Sequence, residues 1–434
     1  MTINWRNVGL YGAFAIVLIM VGMYQSWPLA LTIINMGLIS AIMALGVNMQ
    51  WGYAGLFNVG VMGFTAIGGL AVVLISMPPV TEAWSAGAFG AILGLMIGAA
   101  TIFAAMVVWQ RMRPGRARVA ALIATLLVGF IINRAVFVPA VNAIERVNPA
   151  TEGYLGGLGL PVLLSWPVGA VMAAGAAWLI GKVALGLRSD YLAIATLGIS
   201  EIIIAILKNE GWLTRGVRNV TGLPRPVASP AELRRQEWFT DLAERFDMPA
   251  TTLSSIVSQA SYTVLFLIVL AILIWLAEKA LNSPWGRMMR AIRDNETAAR
   301  AMGKDVTRRH LNIFILGSAV CGLAGAMMVT LDGQLNPGTY EPLRFTFLIW
   351  VMVIVGGSGN NWGAVLGGMV IWFLWVQVEP AGRWLIDVST VWMGDDSDLR
   401  AHLLSNAAHT RLLTMGLAML LVMRFSPRGL IPER

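Results

Sequence analysis
The chain has 434 residues, of which 57% are hydrophobic and only 12% charged, with a formal net charge of +8. Soluble domains carry about 25% charged residues, so this composition, with a mean hydropathy of +0.71, excludes an ordinary soluble globular domain. Apolar runs near the ~20 residues needed to cross a bilayer recur throughout and do not alternate like barrel strands, which predicts an all-α polytopic membrane protein.

In chain order, the first candidate span, 8–24, follows Arg6 and precedes no clear small-residue cleavage site. It reads as a retained span rather than a signal peptide. Spans 29–48 and 54–76 come next, and the glycine-rich "GYAGLFNVGVMG" (52–63) stands at their junction. Asn48 and Asn58 flank this block; as polar groups at membrane depth they are substrate-pathway candidates. Span 86–109 carries Gly90, Gly94 and Gly98, a small-x-x-x-small ridge that reads as helix packing. Spans 119–139, 161–183 and 191–208 follow. In the last, Glu201 lies about ten residues deep, roughly 15 Å at 1.5 Å per residue. A carboxylate there must face a cavity or a partner, so a pathway role and a buried structural pairing both remain open. Thr196, just over a turn earlier, joins it as a pathway candidate or simply bonds its own helix backbone.

Residues 209–257 form a long connection with structure of its own. In "SPAELRRQEWFTDLAERF", Ser229, Pro230 and Glu232 form a capping-box signature. Phe239, Leu242 and Phe246 then share a face, so an amphipathic helix is expected to rest on the outer membrane surface or to meet an extracytoplasmic partner. Span 258–281 leads into "SPWGRMMRAIRDNETAARAMG" (283–303), where Arg287, Arg290, Arg293, Asp294, Glu296 and Arg300 crowd into one short segment. Ser283 and Pro284 can start a short helix, Met288, Ile292 and Ala299 lie along one face, and Gly303 offers a stop. On physical grounds alone this is a basic helix held by anionic lipid or a contact for another protein. Span 311–331 is followed by two short runs, 343–357 and 363–378, joined by "GGSGNNWGAVLGG" (356–368). They read as a pair of half-helices, in which the glycine block with Gly356, Gly357 and Gly359 either exposes backbone dipoles to a zwitterionic substrate or makes a tight helix crossing. The last span is 408–423, which gives about ten to twelve membrane or half-membrane helices.

Arginine placement orients the spans. Arg6, then Arg111, Arg113, Arg116 and Arg118, then Arg188, then 283–310, then Arg424, Arg428 and Arg434 all fall on one side if the spans alternate. By the positive-inside rule that side is the cytoplasm, with both termini on it. The positive charge therefore reads as basic loops against membrane lipid, with no nucleic-acid partner. The opposite connections are mixed or acidic, including Glu82, Asp387, Asp395 and Asp396. The single cysteine, Cys321, excludes an intrachain disulfide, and no metal-ligating or catalytic set stands out. "GGSG" at 356–359 also fits an intramembrane serine protease, but that chemistry needs a histidine beside Ser358, and of His310, His402 and His409 the last two fall at the opposite membrane face and His310 opens a different span.

"ETAARAMG" resembles the cytoplasmic Glu-Ala-Ala loop of ABC importer permeases, with Thr297 inserted so that Glu296 precedes the alanine pair by two positions. The wider segment, with "GLISAIMALGVNMQWGYAGLFNVGVMGFTAIGG", "LRSDYLAIATLGISEI", "LTRGVRNVTGLP", "GGSGNNWGAVLGG" and "RFSPRGLIPE", is similar to the branched-chain amino acid permease family over most of the chain. The resemblance implies a single permease domain over 1–434 in a bacterial inner membrane, working with two ATPase subunits, a second homologous permease and a periplasmic substrate-binding protein. It implies a coupling loop at 283–310 in which Arg287, Arg293, Glu296, Ala298, Ala299 and Gly303 meet the ATPase. The cargo implied is a branched-chain or other hydrophobic amino acid, with urea or short amides as the alternative within the family. A secondary transporter or channel without an ATPase is the rival from another class. The chain has no G-x-x-x-x-G-K-[ST] phosphate cradle, so no cofactor is expected on it and ATP-Mg is expected on the partner subunits.

Overall fold
The computed structural model describes residues 5–149, 152–393 and 397–433. Asp395, Asp396 and Arg434, which entered the charge count of the loops, lie outside the described residues. Each predicted apolar run coincides with a helix. The first seven major helices are α1 (Trp5–Tyr24), α2 (Trp27–Val47), α3 (Val61–Ser76), α4 (Phe89–Arg111), α5 (Arg116–Glu145), α6 (Ser165–Ala184) and α7 (Ser189–Asn209). After them come α8 (Glu237–Arg245), α9 (Ala250–Leu281), α10 (Pro284–Asp294), α11 (Glu296–Ala301) and α12 (Val306–Asp332). The chain closes with α13 (Pro342–Gly356), α14 (Asn361–Ser389), α15 (Asp398–Ser405) and α16 (Thr410–Phe425).

Among the described residues nine helices are long and apolar enough to cross a membrane, and α3 and α13 are shorter apolar helices. Fifteen or sixteen residues reach only about 22–24 Å of the ~30 Å hydrocarbon. The expected pair of adjacent half-helices is therefore corrected. The 343–357 run is short, but the 363–378 run belongs to α14, a helix of 29 residues. Hydropathy stops at Glu379, Pro380 and Arg383, whereas the helix continues, because Glu379 is paired with Arg411 at 2.6 Å and Arg383 at 3.7 Å. The second short helix is α3, because the chain before it is spent on an irregular elbow, 55–60, with Gly55 at φ +69°.

The core is built on α2 and α12. Their apolar windows are 78% and 72% buried, against 6% for α5. Without a hydrophobic drive between helices in lipid, close approach depends on small residues, and α3, α6 and α12 meet on them. A Cβ on Gly68 would stand 1.7 Å from the Gly322 carbonyl oxygen, and one on Gly322 would stand 2.4 Å from the Ala173 Cβ. The peripheral α4–α5 hairpin uses the Gly90–Gly94–Gly98 ridge as the sequence suggested. Cβ atoms at Gly90 and Gly94 would lie 2.7 Å from Ala140 and Phe137, and Asn133 Nδ2 donates to the Gly94 carbonyl at 2.6 Å.

The two ends of the bundle are distinct. One end gathers the termini, with Arg6 donating to the Leu430 carbonyl at 3.1 Å, and residues 54–57, 185–189 and 292–310 share a cleft there. At the other end, β1 (Val220–Thr221) pairs antiparallel with β2 (Gln334–Leu335). The capping box is present there: Ser229 N donates to Glu232 Oε2 at 2.7 Å, and Glu232 N donates to Ser229 Oγ at 3.3 Å. These bonds hold the Glu232 carboxyl below the usual carboxylate range. The expected amphipathic helix is split, with a single turn at Pro230–Leu233 followed by α8. Its buried face is also corrected. Phe239 and Ala243 pack on Leu253 at the start of α9, while Phe246 is 63% exposed. The apolar face is satisfied by the chain's own helix.

Candidate functional site
The charged segment is two helices, not one. Ser283 stands at the first N-cap, but its hydroxyl donates to the Ala280 carbonyl at 2.6 Å instead of capping. Gly286, Met289 and Ile292 are the buried face of α10, and the expected Met288 flanks them, partly buried. The helix breaks at Asn295, whose side chain accepts from Ala298 N at 2.9 Å and so caps α11. Nothing on α11 is fully buried. Glu296 pairs with Arg300 at 2.5 Å on its surface, and Ala299 packs partly against the core. Gly303 ends the segment at φ +75°, with open space where a Cβ would stand. Arg287 donates only locally, to the Asn282 carbonyl at 3.2 Å.

Arg293 is the residue that leaves this module. Its guanidinium donates to the Gly52 carbonyl, pairs with Glu433 at 2.9 Å and contacts Asp294 at 3.2 Å. Gly52 closes a π-helical turn, Asn48–Gly52, that ends α2. The α10 helix is thereby fastened both to the elbow before α3 and to the C-terminal tail.

The tertiary structure also joins the two glycine blocks. Asn48 Oδ1 accepts from Gly359 N at 2.8 Å, and Asn48 Nδ2 donates to Asn361 Oδ1 at 3.3 Å. Asn361 Nδ2 in turn donates to Glu278 at 3.1 Å. Asn58 Nδ2 donates to Gln50 Oε1 at 2.8 Å, while Gln50 Nε2 donates to the Phe314 carbonyl and to Ser318 Oγ at 2.9 and 3.0 Å. Thr196 Oγ1 accepts from Val59 N at 3.0 Å, so α7 clasps the first elbow. Trp350 of α13 donates to the Asn58 carbonyl at 3.1 Å and packs on Trp51 and Phe57. Asn48, Asn58 and Thr196 are buried in this knot.

Gly357 and Gly359, at φ +115° and +80°, make the turn after α13. Of the glycine carbonyls that the sequence offered to a substrate, that of Gly356 is engaged: Ile431 N donates to it at 2.9 Å, beside Leu430 N donating to Val355 O at 2.9 Å. Glu201 is not part of the knot and is exposed on the outward stripe of α7. Sequence reasoning missed Gln50, Glu278, Asn361 and Glu433. For Asn361 a signal existed in the paired asparagines of "GGSGNN"; Glu433 is a lone acid at a chain end and gave none.

An all-helical bundle with an exposed charged module tethered to a glycine elbow and to the C-terminal tail defines a multi-pass membrane permease. The chain belongs to the family described as "Branched-chain amino acid transport system / permease component", whose profile matches residues 29–152 and 150–423. It is 29% identical to the high-affinity branched-chain amino acid transport system permease protein LivM of Escherichia coli (strain K12) over 292 residues, 67% of this chain and 61% of that protein. It is 26% identical over 295 residues to the probable branched-chain amino acid transport permease protein LivM of Methanocaldococcus jannaschii, covering 68% and 73% of the two chains. The permease protein LivH of Escherichia coli (strain K12) is 30% identical over 207 residues, 47% of this chain and 61% of LivH. The chain thus spans less than two thirds of the length of the Escherichia coli relatives it matches. No solved structure matches it.

Proposed function
We propose that this chain is the permease subunit of an ATP-driven importer that carries branched-chain or other hydrophobic amino acids across a bacterial inner membrane. The observation that carries the reading is the α10–α11 module, exposed along α11 and fixed through Arg293 to the first elbow and to the C-terminal tail. On this reading two ATPase subunits, holding ATP-Mg, dock at Arg287, Glu296, Ala298, Ala299 and Gly303 on the cytoplasmic side. The Asn48–Asn58–Thr196 and Gly356–Gly359 elbows form the inner gate that the module moves. Glu201, exposed at mid-helix in a single chain, then faces a second permease, since a carboxylate facing lipid is costly. A periplasmic binding protein delivers cargo to the end that carries β1, β2 and α8.

Co-purification tests the docking assignment. Deleting 287–303 is expected to abolish recovery of the ATPase with the membrane subunit. Retention of the ATPase and of ATP-driven uptake sinks the assignment. A subtler variant is Gly303→Leu. No atom blocks the side chain, so the penalty is the left-handed backbone, about 1–2 kcal/mol, confined to an exposed turn. Expected is a several-fold loss of substrate-stimulated ATP hydrolysis with an unchanged melting temperature in detergent.

A further inference from the structure
Between α2, α3, α12 and α13 lies a cavity of about 100 Å³, room for several waters at roughly 10–15 Å³ each. Five of its thirteen lining residues are methionine, namely Met36, Met43, Met62, Met328 and Met352. The chain as a whole has 24 methionines in 434 residues, so the enrichment is about sevenfold. Methionine is flexible and polarizable, and it adapts to apolar groups of differing shape. The polar groups of the cavity lie mostly at one end. Asp332, the last residue of α12, and Thr339 form a rim at the end of the bundle opposite the chain termini. Asp332 is exposed. Arg225 lies alongside, its guanidinium 2.8 Å from where a Gly333 Cβ would stand. The two charges make no ion pair with each other. At the other end, Met62 is the second residue of α3 and Met352 lies two residues from Trp350, which bonds the elbow. The cavity thus runs from an acidic rim to residues two to four positions from the knot.

We propose that this cavity is a cargo site inside the chain itself. It takes a hydrophobic α-amino acid, with the aliphatic side chain among the methionines, the ammonium at Asp332 and the carboxylate toward Arg225. The proposal rests on the importer reading for its cargo class and adds to it a binding step within the permease. An apolar packing void has no need of a carboxylate at its rim with a guanidinium near the next residue, and a lipid tail has no need of a zwitterion pair.

Cys321 is the only cysteine, so a Cys321→Ala parent carries single reporters. Met43→Cys, Met328→Cys and, as a surface control on α9, Leu276→Cys are reacted with a methanethiosulfonate reagent in the assembled transporter in vesicles, without binding protein. The probes are L-leucine and urea. L-leucine is expected to slow modification at 43 and 328 by about tenfold in a saturable way and to leave 276 unchanged. Urea is expected to protect nothing, and Asp332→Asn should remove the protection without changing the unprotected rate. Absence of protection, equal protection at 276, protection by urea, or persistence in Asp332→Asn each overturns the site. Leucine uptake by the parent is measured in the same vesicles with binding protein added. Uptake without protection rejects the cavity alone. Missing uptake rejects the cargo reading, and the labelling still decides the cavity because it does not depend on transport.

Discussion
Arg293→Ala is expected to leave the ATPase bound and hydrolysing while the amount of cargo moved per ATP falls about tenfold or more. Among the described residues, Arg293 is the only one of α10 or α11 that reaches both the α2 elbow and the C-terminal tail. Hydrogen bonds to charged groups contribute about 1.5–3 kcal/mol each, and its side chain is only 25% exposed. Loss of one such link is therefore of the order of the ~1.4 kcal/mol that corresponds to tenfold. Two further variants separate the partners. Glu433→Gln removes the ion pair and keeps the Gly52 contact, so it should fall between wild type and alanine. Arg293→Lys keeps the charge but loses the planar fork that serves two acceptors at once, so it should behave nearer to alanine. The measurement is the ratio of uptake to phosphate release in proteoliposomes. An unchanged ratio in Arg293→Ala means that force does not pass through this contact.

The largest stability effect is expected at Gly68. The atom it faces is backbone, the Gly322 carbonyl oxygen 1.7 Å from the position of a Cβ, so no rotamer change relieves the clash. Gly68→Val must drive α3 from α12, and overpacking of a tight core costs about 1–3 kcal/mol even where side chains give way. The expected result is loss of a monodisperse peak in detergent, or a fall in melting temperature well beyond that of Gly175→Val. Gly175, on the neighbouring α6, meets nothing within 4 Å. Equal melting temperatures for the two variants would contradict the packing described for α3, α6 and α12.

The elements legible in the sequence were those governed by local composition. All twelve apolar runs contain a helix, though the first part of the 54–76 run is irregular, the Ser229–Glu232 box formed, and the Gly90–Gly94–Gly98 ridge packed as a ridge. Errors arose where a local rule met a nonlocal partner. The break at Asn295 was hidden because the charges on either side suit one helix, while α10 alone has a face to bury. Phe246 had the right spacing for the packed face, but the surface available on α9 ends before it. The 29 residues of α14 outran hydropathy because Arg411, on another helix, supports Glu379.

The sequence by itself determined that this is an all-helical membrane protein, which segments are apolar, and that one charged segment stands apart from them, because bilayer thickness and helix geometry act on residues a few positions apart. Only the tertiary structure decided that the early and late glycine blocks touch through Asn48 and Gly359, residues 311 positions apart. It likewise decided that Arg293 holds the chain's penultimate residue and that five methionines from four helices surround one space. Those facts depend on which helix faces which, and helix facing in lipid follows from close contacts between small residues and from pairs of polar groups, whose partners lie hundreds of residues away.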